Sequence, residues 1–451
     1  MLCFLLNRDK EMGFVRKHLS ADGLHRAVRQ SLYKEELPEC PRSDISWQDC
    51  IMTGLAIFGL KFPSLLQFDK HKADSVIRRN LKNLYHVQTP PSDTCLRERL
   101  DVLSPRHFRR AFKTIFAFLQ RGKVLDRYLY FGKYYLVSID GTGQYSSDKV
   151  KCENCCEKHH RDGTVTYYHQ MLGAAIVHPD ERVVIPLAPE PIVKSDGDNK
   201  NDCERNAAKR LLKDLRREHP HLKAIIIEDG LASNYPHLSL LDSLNLQYIV
   251  GVKQGDHEFL FDWIKHAKAH DVILNKEKTK HTFRYVNGVP LNDEHFDYRV
   301  NVMEYWEEKA NGKKQYFSWV THLEITGENV FELMRAARAR WKIENETFNT
   351  LKNQGYNFEH NYGHGNNNLC SVMTMQMLLA FLIDQTQQLC CGLYQKARQK
   401  MGSLRSLFEH ARVAFQWFVW DTWTQFYEML HDPEAHPPPN GFGSISHSVI
   451  D

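Results

Sequence analysis

Between residues 134 and 253 the chain alternates short apolar runs with helical stretches, and that alternation leaves few folds open. "YYLVSID" (134–140), "KAIIIED" (223–229) and "LQYIVGVK" (246–253) carry the β-branched and aromatic residues of strands. "TYYHQMLGAAIVH" (166–178) and "RVVIPLA" (182–188) are two more, and the "PDE" between them implies a hairpin. "NDCERNAAKRLLKDLRREHP" (201–220) and "PHLSLLDSLN" (236–245) read as helices. The order strand, strand, strand, helix, strand, helix, strand is a meander followed by two crossovers. It predicts a mixed α/β sheet with helices on its faces.

The flanks have a different texture. Residues 1–45 show no strong pattern, and "WQDCIMTGLAIFGLKF" (47–62) reads as a largely buried helix. "ADSVIRRNLKNLY" (73–85) follows a helical period. A break at Pro90 and Pro91 precedes Ser92 or Asp93 as an N-cap. "SPRHFRRAFKTIFAFLQRG" (104–122) opens on a Ser-Pro cap and repeats apolar residues at Phe108, Phe112, Ile115, Phe116 and Leu119. Beyond the sheet, 254–325 holds alternating segments with a turn near "ANGKKQ", a β-rich insertion. A long helix is expected from about 328 to 352, and further helices over 369–390 and 404–430. The Pro/Gly/Ser-rich tail from 431 reads as disordered. No internal repeat is visible.

Length and composition set outer bounds. The 451 residues suggest two or three structural units, and 42% hydrophobic content suffices for a buried core. The net charge of +4 is unevenly placed: Lys70 to Lys123 holds 13 Lys/Arg against 4 Asp/Glu, a net of +9. Such a basic helical segment suits an acidic polymer partner, or is a solvated helix face. "MLCFLL" is too short for a secretory signal, and "LCSVMTMQMLLAFLI" (369–383) too short for a membrane span. Eleven cysteines in a long chain suggest no disulfide scaffold and a reducing cytoplasm.

Three carboxylates carry the chemistry. Asp140 and Asp229 each close a strand run, although an Asp before Gly is often a turn former. Glu344 falls on the helical stripe Ala337, Trp341, Glu344, Phe348 and Leu351, which should pack on the sheet. A carboxylate on a buried stripe needs a cation or a hydrogen-bond partner. Two strand-end aspartates and an inward glutamate suit two divalent cations, Mg²⁺ or Mn²⁺, of a phosphoryl-transfer site. Glu346 points elsewhere, while Glu190, Asp202 and Glu204 are expected to orient structure or to form ion pairs.

Secondary features stay open. "CENCCEKHH" offers Cys152, Cys155, Cys156, His159 and His160, with His169 nearby, as either a zinc knuckle or a loop with reduced thiols. The zinc set expected from spacing is Cys152, Cys155, His159 and His160. Lys253 in "GVKQGDH", near His257, either touches DNA or ends a strand in solvent. His360 and His364 in "EHNYGHG" either contact DNA or cap a helix.

Together "SIDGTG", "PLAPEPI", "NDCERNAAKRLL", "EDGLASNYPH", "GVKQGDH" and "RARWKIENETFNTLKNQGYNFEHNYGHG" resemble the DDE transposases of bacterial insertion sequences. Within that family they resemble the group with a β-strand insertion in a ribonuclease H-like core, over roughly 47–430. The resemblance implies that Arg340 is the arginine and Glu344 the acid of a Tyr–Arg–Glu–Lys signature. Ala337 replaces its tyrosine, and Leu351 stands at the lysine spacing with Lys352 one step on. Arg340 and Lys352 would contact phosphates. The resemblance further implies an enzyme that binds the terminal inverted repeats of its own element and hydrolyses a strand at each end. The freed 3′-hydroxyl is then joined to target DNA, in a dimer or larger assembly.

The expected organisation is a helical, basic DNA-binding region (1–128) and a split catalytic core (129–253 and 326–365) around the β-rich insertion (254–325). A helical assembly region (366–430) and the tail (431–451) complete it. A non-catalytic DNA-binding protein derived from a mobile element, or a ribonuclease H-like nuclease without strand transfer, are the rival readings. The presence of all three acids opposes the first rival; the insertion and the basic N-terminus oppose the second.

Overall fold

The computed structural model describes residues 17–39, 44–197 and 199–438. The "MLCFLL" run and most of the Pro-rich tail lie outside them. The chain divides into two compact units: residues 127–142 with 170–348, and residues 1–126 with 143–169 and 349–451.

The first of these holds all or part of every described strand except Cys156–His159, which lies in the second. In chain order the strands are β1 (Leu129–Tyr130), β2 (Tyr134–Ser147), β3 (Cys156–His159), β4 (Val165–Val177), β5 (Ile185–Pro186) and β6 (Glu190–Ile192). They continue as β7 (Ala224–Glu228), β8 (Gln247–Gly251), β9 (His270–Lys276), β10 (Thr279–Pro290), β11 (Arg299–Lys309) and β12 (Lys314–Thr321). The sheet order is β4-β2-β7-β8-β12-β11-β10-β9, with β1 on β2 and β5 and β6 on β4. Strands β2, β7 and β8 pair in parallel, joined by helices Lys200–Glu218 and Tyr235–Ser243 as crossovers. This is the mixed α/β sheet that the alternation predicts, in the ribonuclease H-like arrangement that the resemblance implies.

Two details depart from the sequence reading. The third strand is two short pieces, because Pro186, Pro189 and Pro191 supply no N–H to a ladder. Strand β2 does not end at Asp140 but runs to Ser147, and Gly141 keeps a negative φ, so the Asp-Gly pair makes no turn. Asp140 nonetheless stands just past the end of the parallel ladder, whose last pair is Ser138 with Ile227.

The β-rich insertion continues the same sheet. After helix Glu258–His266, β9 to β12 form an antiparallel ladder, and β12 joins the core by pairing Trp319 with Gly251 and Thr321 with Ile249. The β11–β12 turn closes on Gly312 at φ +79°, within the segment expected to turn.

The other unit is helical around a buried axis, Leu369–Cys390. This 22-residue helix has the bounds expected from the sequence, and although its apolar run over 369–383 reads as too short, by length and composition alone the helix could cross a membrane. It is packed inside the unit, where Gln376 Nε2 donates to the Ile51 carbonyl at 3.1 Å. Asp384 accepts from the Lys61 ammonium and the Tyr356 hydroxyl. Lys61 also lies 4.3 Å and 4.0 Å from the centroids of the Tyr356 and Phe408 rings. Around this axis stand helices Trp47–Gly59, Ser75–Tyr85, Asp93–Asp101 and Arg109–Arg121, each of the first three opened by a Ser or Asp cap. A further helix, Ala21–Leu32, lies in the stretch read as patternless.

Burial pulls the Lys61 ammonium down and pushes the Asp384 carboxyl up, and each holds the other charged. Asp384→Ala strands Lys61 in an apolar core, and should cost about 3–5 kcal/mol of unfolding free energy. Lys61→Met with Asp384→Leu should cost clearly less. A denaturant series on the three proteins checks this, and equal losses in single and double variants would contradict it.

Candidate active site

Strand β2 brings Asp140 to the middle of the sheet edge formed by the C-terminal ends of β7 and β8. The Asp140 Oδ1 accepts from the Gly141 N–H at 2.8 Å, and Oδ2 accepts from Arg340 Nη1 at 2.8 Å. The same Nη1 donates to Glu344 Oε1 at 2.9 Å. One guanidinium nitrogen therefore bridges two carboxylates from a strand and a helix.

Asp229 directly follows β7. It is exposed and caps the short turn Gly230–Ala232 by accepting from the Leu231 N–H at 2.9 Å. His257 steadies that turn: Ser233 Oγ donates to the Gly230 carbonyl at 2.6 Å, which leaves the His257 Nε2 to donate to Ser233 Oγ at 2.7 Å. Lys253 lies on the surface after β8, and its side chain makes no cap.

The helix that carries Glu344 differs most from expectation. Instead of one helix from 328 to 352 there is an α-helix Val330–Arg338, a tightened turn, and a π-helical stretch Ile343–Phe348 leading into Asn349–Asn353. The tightening shows in i→i−3 bonds from the N–H groups of Arg340, Lys342 and Ile343. From Ala337 to Leu351 the buried residues are Ala337, Ala339, Ile343, Thr347, Phe348 and Leu351, so the change of pitch has shifted the register. Trp341 and Glu344 are exposed, Glu344 at 49% of its side-chain surface. Glu344 thus stands exposed beside Arg340 and Asp140 rather than on the packed stripe assigned to it from periodicity.

The stretch is pinned where it changes pitch. Ser138 Oγ donates to the Arg340 carbonyl at 2.9 Å, and Lys342 Nζ donates to the Glu181 carbonyl at 2.6 Å. The Phe348 ring presses on Gly173 of β4 so closely that a Cβ there would stand 2.9 Å from it. Arg338 pairs with Glu307 of β11 at 3.1 Å and stacks 5.0 Å above the Phe317 ring of β12, which ties the insertion to the same helix.

A fourth acid enters that sequence reasoning missed. Asp140, Glu204, Glu228 and Asp229 line one cavity with His237 and Arg205. Glu228 is buried but neutralised by His237 Nε2 at 2.7 Å. Glu204, from helix Lys200–Glu218, lies against the backbone of Gly141, where a Cβ would meet its carboxylate at 3.2 Å. Burial and the Asp229 charge push its carboxyl upward. Its neighbours behave as expected: Glu190 pairs with Arg210 at 2.7 Å and Asp202 lies near Arg205. No spacing rule separates Glu204 from them; only the curl of the helix over Gly141 does.

Lys352 belongs to the helical unit, where it pairs with Glu359 at 2.8 Å on the surface. The Cys/His knuckle of that unit also differs from expectation. Cys152 and Cys155 stay together, but His159 sits beside Glu157 with 71% of its side chain exposed, and His160 bonds Thr166. The histidines that meet the thiols are His169 and His364. The intervening turn and strand β3 carry His159 and His160 away from them, while the pairing of β3 with β4 returns His169 to the cysteines.

A family model described as the transposase DDE domain matches residues 132–382, more than half of the chain. The chain belongs to this family. No curated protein matches it. Transposases of this family act on DNA. The matched span starts just before β2, ends inside the buried helix Leu369–Cys390, and takes in Asp140, Asp229 and Glu344.

Burial and the Glu344 carboxyl push Asp140 up to about 7, against the pull of Arg340. A carboxyl that holds its proton more tightly when folded makes the folded state lose stability as pH rises from its unfolded value, 3.8, to about 7. Above that range the loss is complete. Asp140→Asn should therefore stabilise the Mg²⁺-free transposase at pH of about 8 by on the order of 2–4 kcal/mol, and by less at pH of about 5. Calorimetric melting at both pH values checks this; a variant that melts no higher than wild type at the upper pH would refute it.

Proposed function

We infer that this transposase binds the terminal inverted repeats of an insertion sequence, hydrolyses strands at its ends and joins the 3′-hydroxyl to target DNA. Asp140, Asp229 and Glu344 are its catalytic acids. The observation that carries this reading is the Arg340 guanidinium held between Asp140 and Glu344, beside Asp229. Two carboxylates brought together at the cost of a raised Asp140 pKa form a site short of positive charge, and hard oxygen donors fit Mg²⁺ or Mn²⁺. Two such ions, held by the three acids, would supply Lewis-acid stabilisation to the attacking and leaving oxygens of a phosphoryl transfer.

The chain's own residues do the rest. Arg340 already spans the two acids, so release of either one turns its fork toward a phosphate oxygen. The π-helical stretch aims Glu344 into the cleft while Phe348 and Ile343 stay packed on the sheet. His257 and Ser233 hold the Asp229 turn rigid. Exposed Lys253 can meet the DNA backbone, and Lys352 can exchange its surface partner Glu359 for a phosphate. The protein works in the bacterial cytoplasm as a homodimer, since two element ends must be held at once.

The helical unit offers the DNA-binding surface. Arg78, Arg79 and Lys82 are exposed on helix Ser75–Tyr85, whose other face buries Ile77, Leu81 and Leu84. Arg99 and Arg109 of the same basic segment are buried. Arg99 stacks 5.2 Å from the Trp47 ring and serves the core rather than DNA.

Glu344→Gln should keep binding to a DNA fragment carrying the element's own end but lose Mg²⁺-dependent cleavage, by a factor of at least about 10³. Equal cleavage by both proteins would remove Glu344 from the site, and binding without cleavage in both would favour a non-catalytic DNA-binding protein. The triple change Arg78→Ala, Arg79→Ala, Lys82→Ala should lower affinity and flatten the slope of log K against log salt by up to about 3. An unchanged slope in shift assays would take this helix out of the interface.

A further inference from the structure

Four side chains of the helical unit converge without serving the acidic site. Cys152 Sγ and Cys155 Sγ are 3.8 Å apart. His169 Nε2 lies 3.4 Å from the first and 3.3 Å from the second. His364 Nε2 lies 3.2 Å from Cys155 Sγ and 3.2 Å from His169 Nε2. All four ligand atoms lie within 4.8 Å of one another, and Cys155, His169 and His364 are buried.

These separations are the edges of a small tetrahedron. Zinc–sulfur bonds of about 2.3 Å and zinc–nitrogen bonds of about 2.05 Å at tetrahedral angles give edges of about 3.8 Å (S–S), about 3.6 Å (S–N) and about 3.3 Å (N–N). Five of the six edges lie within a few tenths of an ångström of these, and the sixth, Cys152 Sγ to His364 Nε2, is no longer than 4.8 Å. Hydrogen bonding alone explains the cluster poorly, because two imidazole nitrogens and two thiols aimed at one point compete for too few protons.

The surroundings orient the ligands. His364 Nδ1 donates to the Gly365 carbonyl at 2.8 Å, which leaves Nε2 with its lone pair toward the cluster. The loop behind His364 is fixed by Asp101, whose carboxylate accepts from the backbone N–H groups of Asn366, Asn367, Asn368 and Leu369 at 2.9–3.0 Å. A hydrogen bond of 2.9 Å from Asn154 Nδ2 to the Asn367 carbonyl joins the knuckle to this loop outside the cluster. The knuckle and the start of β4, close in sequence, meet here a loop some two hundred residues further on.

We propose that Cys152, Cys155, His169 and His364 bind one structural zinc ion that clamps the knuckle and the start of β4 to the loop after the glutamate helix. Two thiolates and two imidazoles in a closed tetrahedron favour zinc and leave no open position for catalysis. The clamp closes a loop of some two hundred residues within one chain, the kind of cross-link that contributes most to stability.

The test is independent of the transposase reading, since it measures metal and not DNA chemistry. Full-length protein purified under reducing conditions should carry about one zinc per chain by mass spectrometry of the elements. His364→Ala and Cys155→Ala should lose it, while His159→Ala and His160→Ala keep it. Should the first two variants fail to fold, wild-type protein stripped of zinc and loaded with Co²⁺ decides. Intense tetrahedral bands with thiolate charge transfer, abolished by added Zn²⁺, support the site. Absence of both stoichiometric zinc and the cobalt bands overturns it, as does loss of zinc in His159→Ala with retention in His364→Ala.

Discussion

Everything at the acidic site turns on one problem: Asp140 and Glu344 are close enough to repel, and Asp140 is mostly out of water. Proteins solve this by neutralising one acid or by supplying a cation. Here Arg340 supplies a fixed cation, and it is incomplete, since Asp140 still sits near 7. The remaining deficit is what a divalent ion would fill. The features that look peripheral serve this arrangement: Ser138 holds the Arg340 backbone, Gly173 admits Phe348, and Arg338 anchors the helix start to β11 and β12.

The strands and crossovers were legible because each is a local statement. "KAIIIED" has no amphipathic helical reading, Pro220 ends a helix, and Ser92 and Ser104 announce the helices they cap. Helix Ala21–Leu32 was not read from the sequence: its Ser20 cap and Leu24, Val28 and Leu32 at four-residue spacing are there, but its many polar residues mask the stripe. The third strand failed for a local reason as well, its three prolines, which break any ladder into fragments.

The facing of Glu344 was not legible from period alone. An α-helix of 3.6 residues per turn puts Ala337, Trp341, Glu344 and Phe348 on one side, and the inference was sound for that geometry. The π-helical turn adds a residue, so Ala337 and Phe348 remain buried while Trp341 and Glu344 rotate out. A π segment is an uncommon feature that a sequence pattern does not announce, and it tends to occur where function outweighs regular hydrogen bonding. The periodic stripe singled out Glu344 for burial in the sheet packing, whereas in the structure it is exposed and meets Asp140 through the shared Arg340 guanidinium.

Glu204, His169 and His364 show the other limit. Each has near neighbours in sequence of the same type, Asp202, His159, His160 and His360, which spacing rules favour equally or more. What separates them is long-range. Glu204 lies over Gly141 because the crossover helix is packed by Ala207, Ala208 and Leu211. His169 reaches the thiols because β3 folds back on β4, and His364 reaches them because four backbone N–H groups next to it converge on Asp101. A ligand set drawn from one short string can satisfy any spacing rule yet point outward, as His159 does. A set closed from three segments is harder to produce without a use. The acids are likewise drawn from separate segments: a strand and a π-helical stretch meet on one guanidinium, and the Asp229 turn lines a cavity with Asp140.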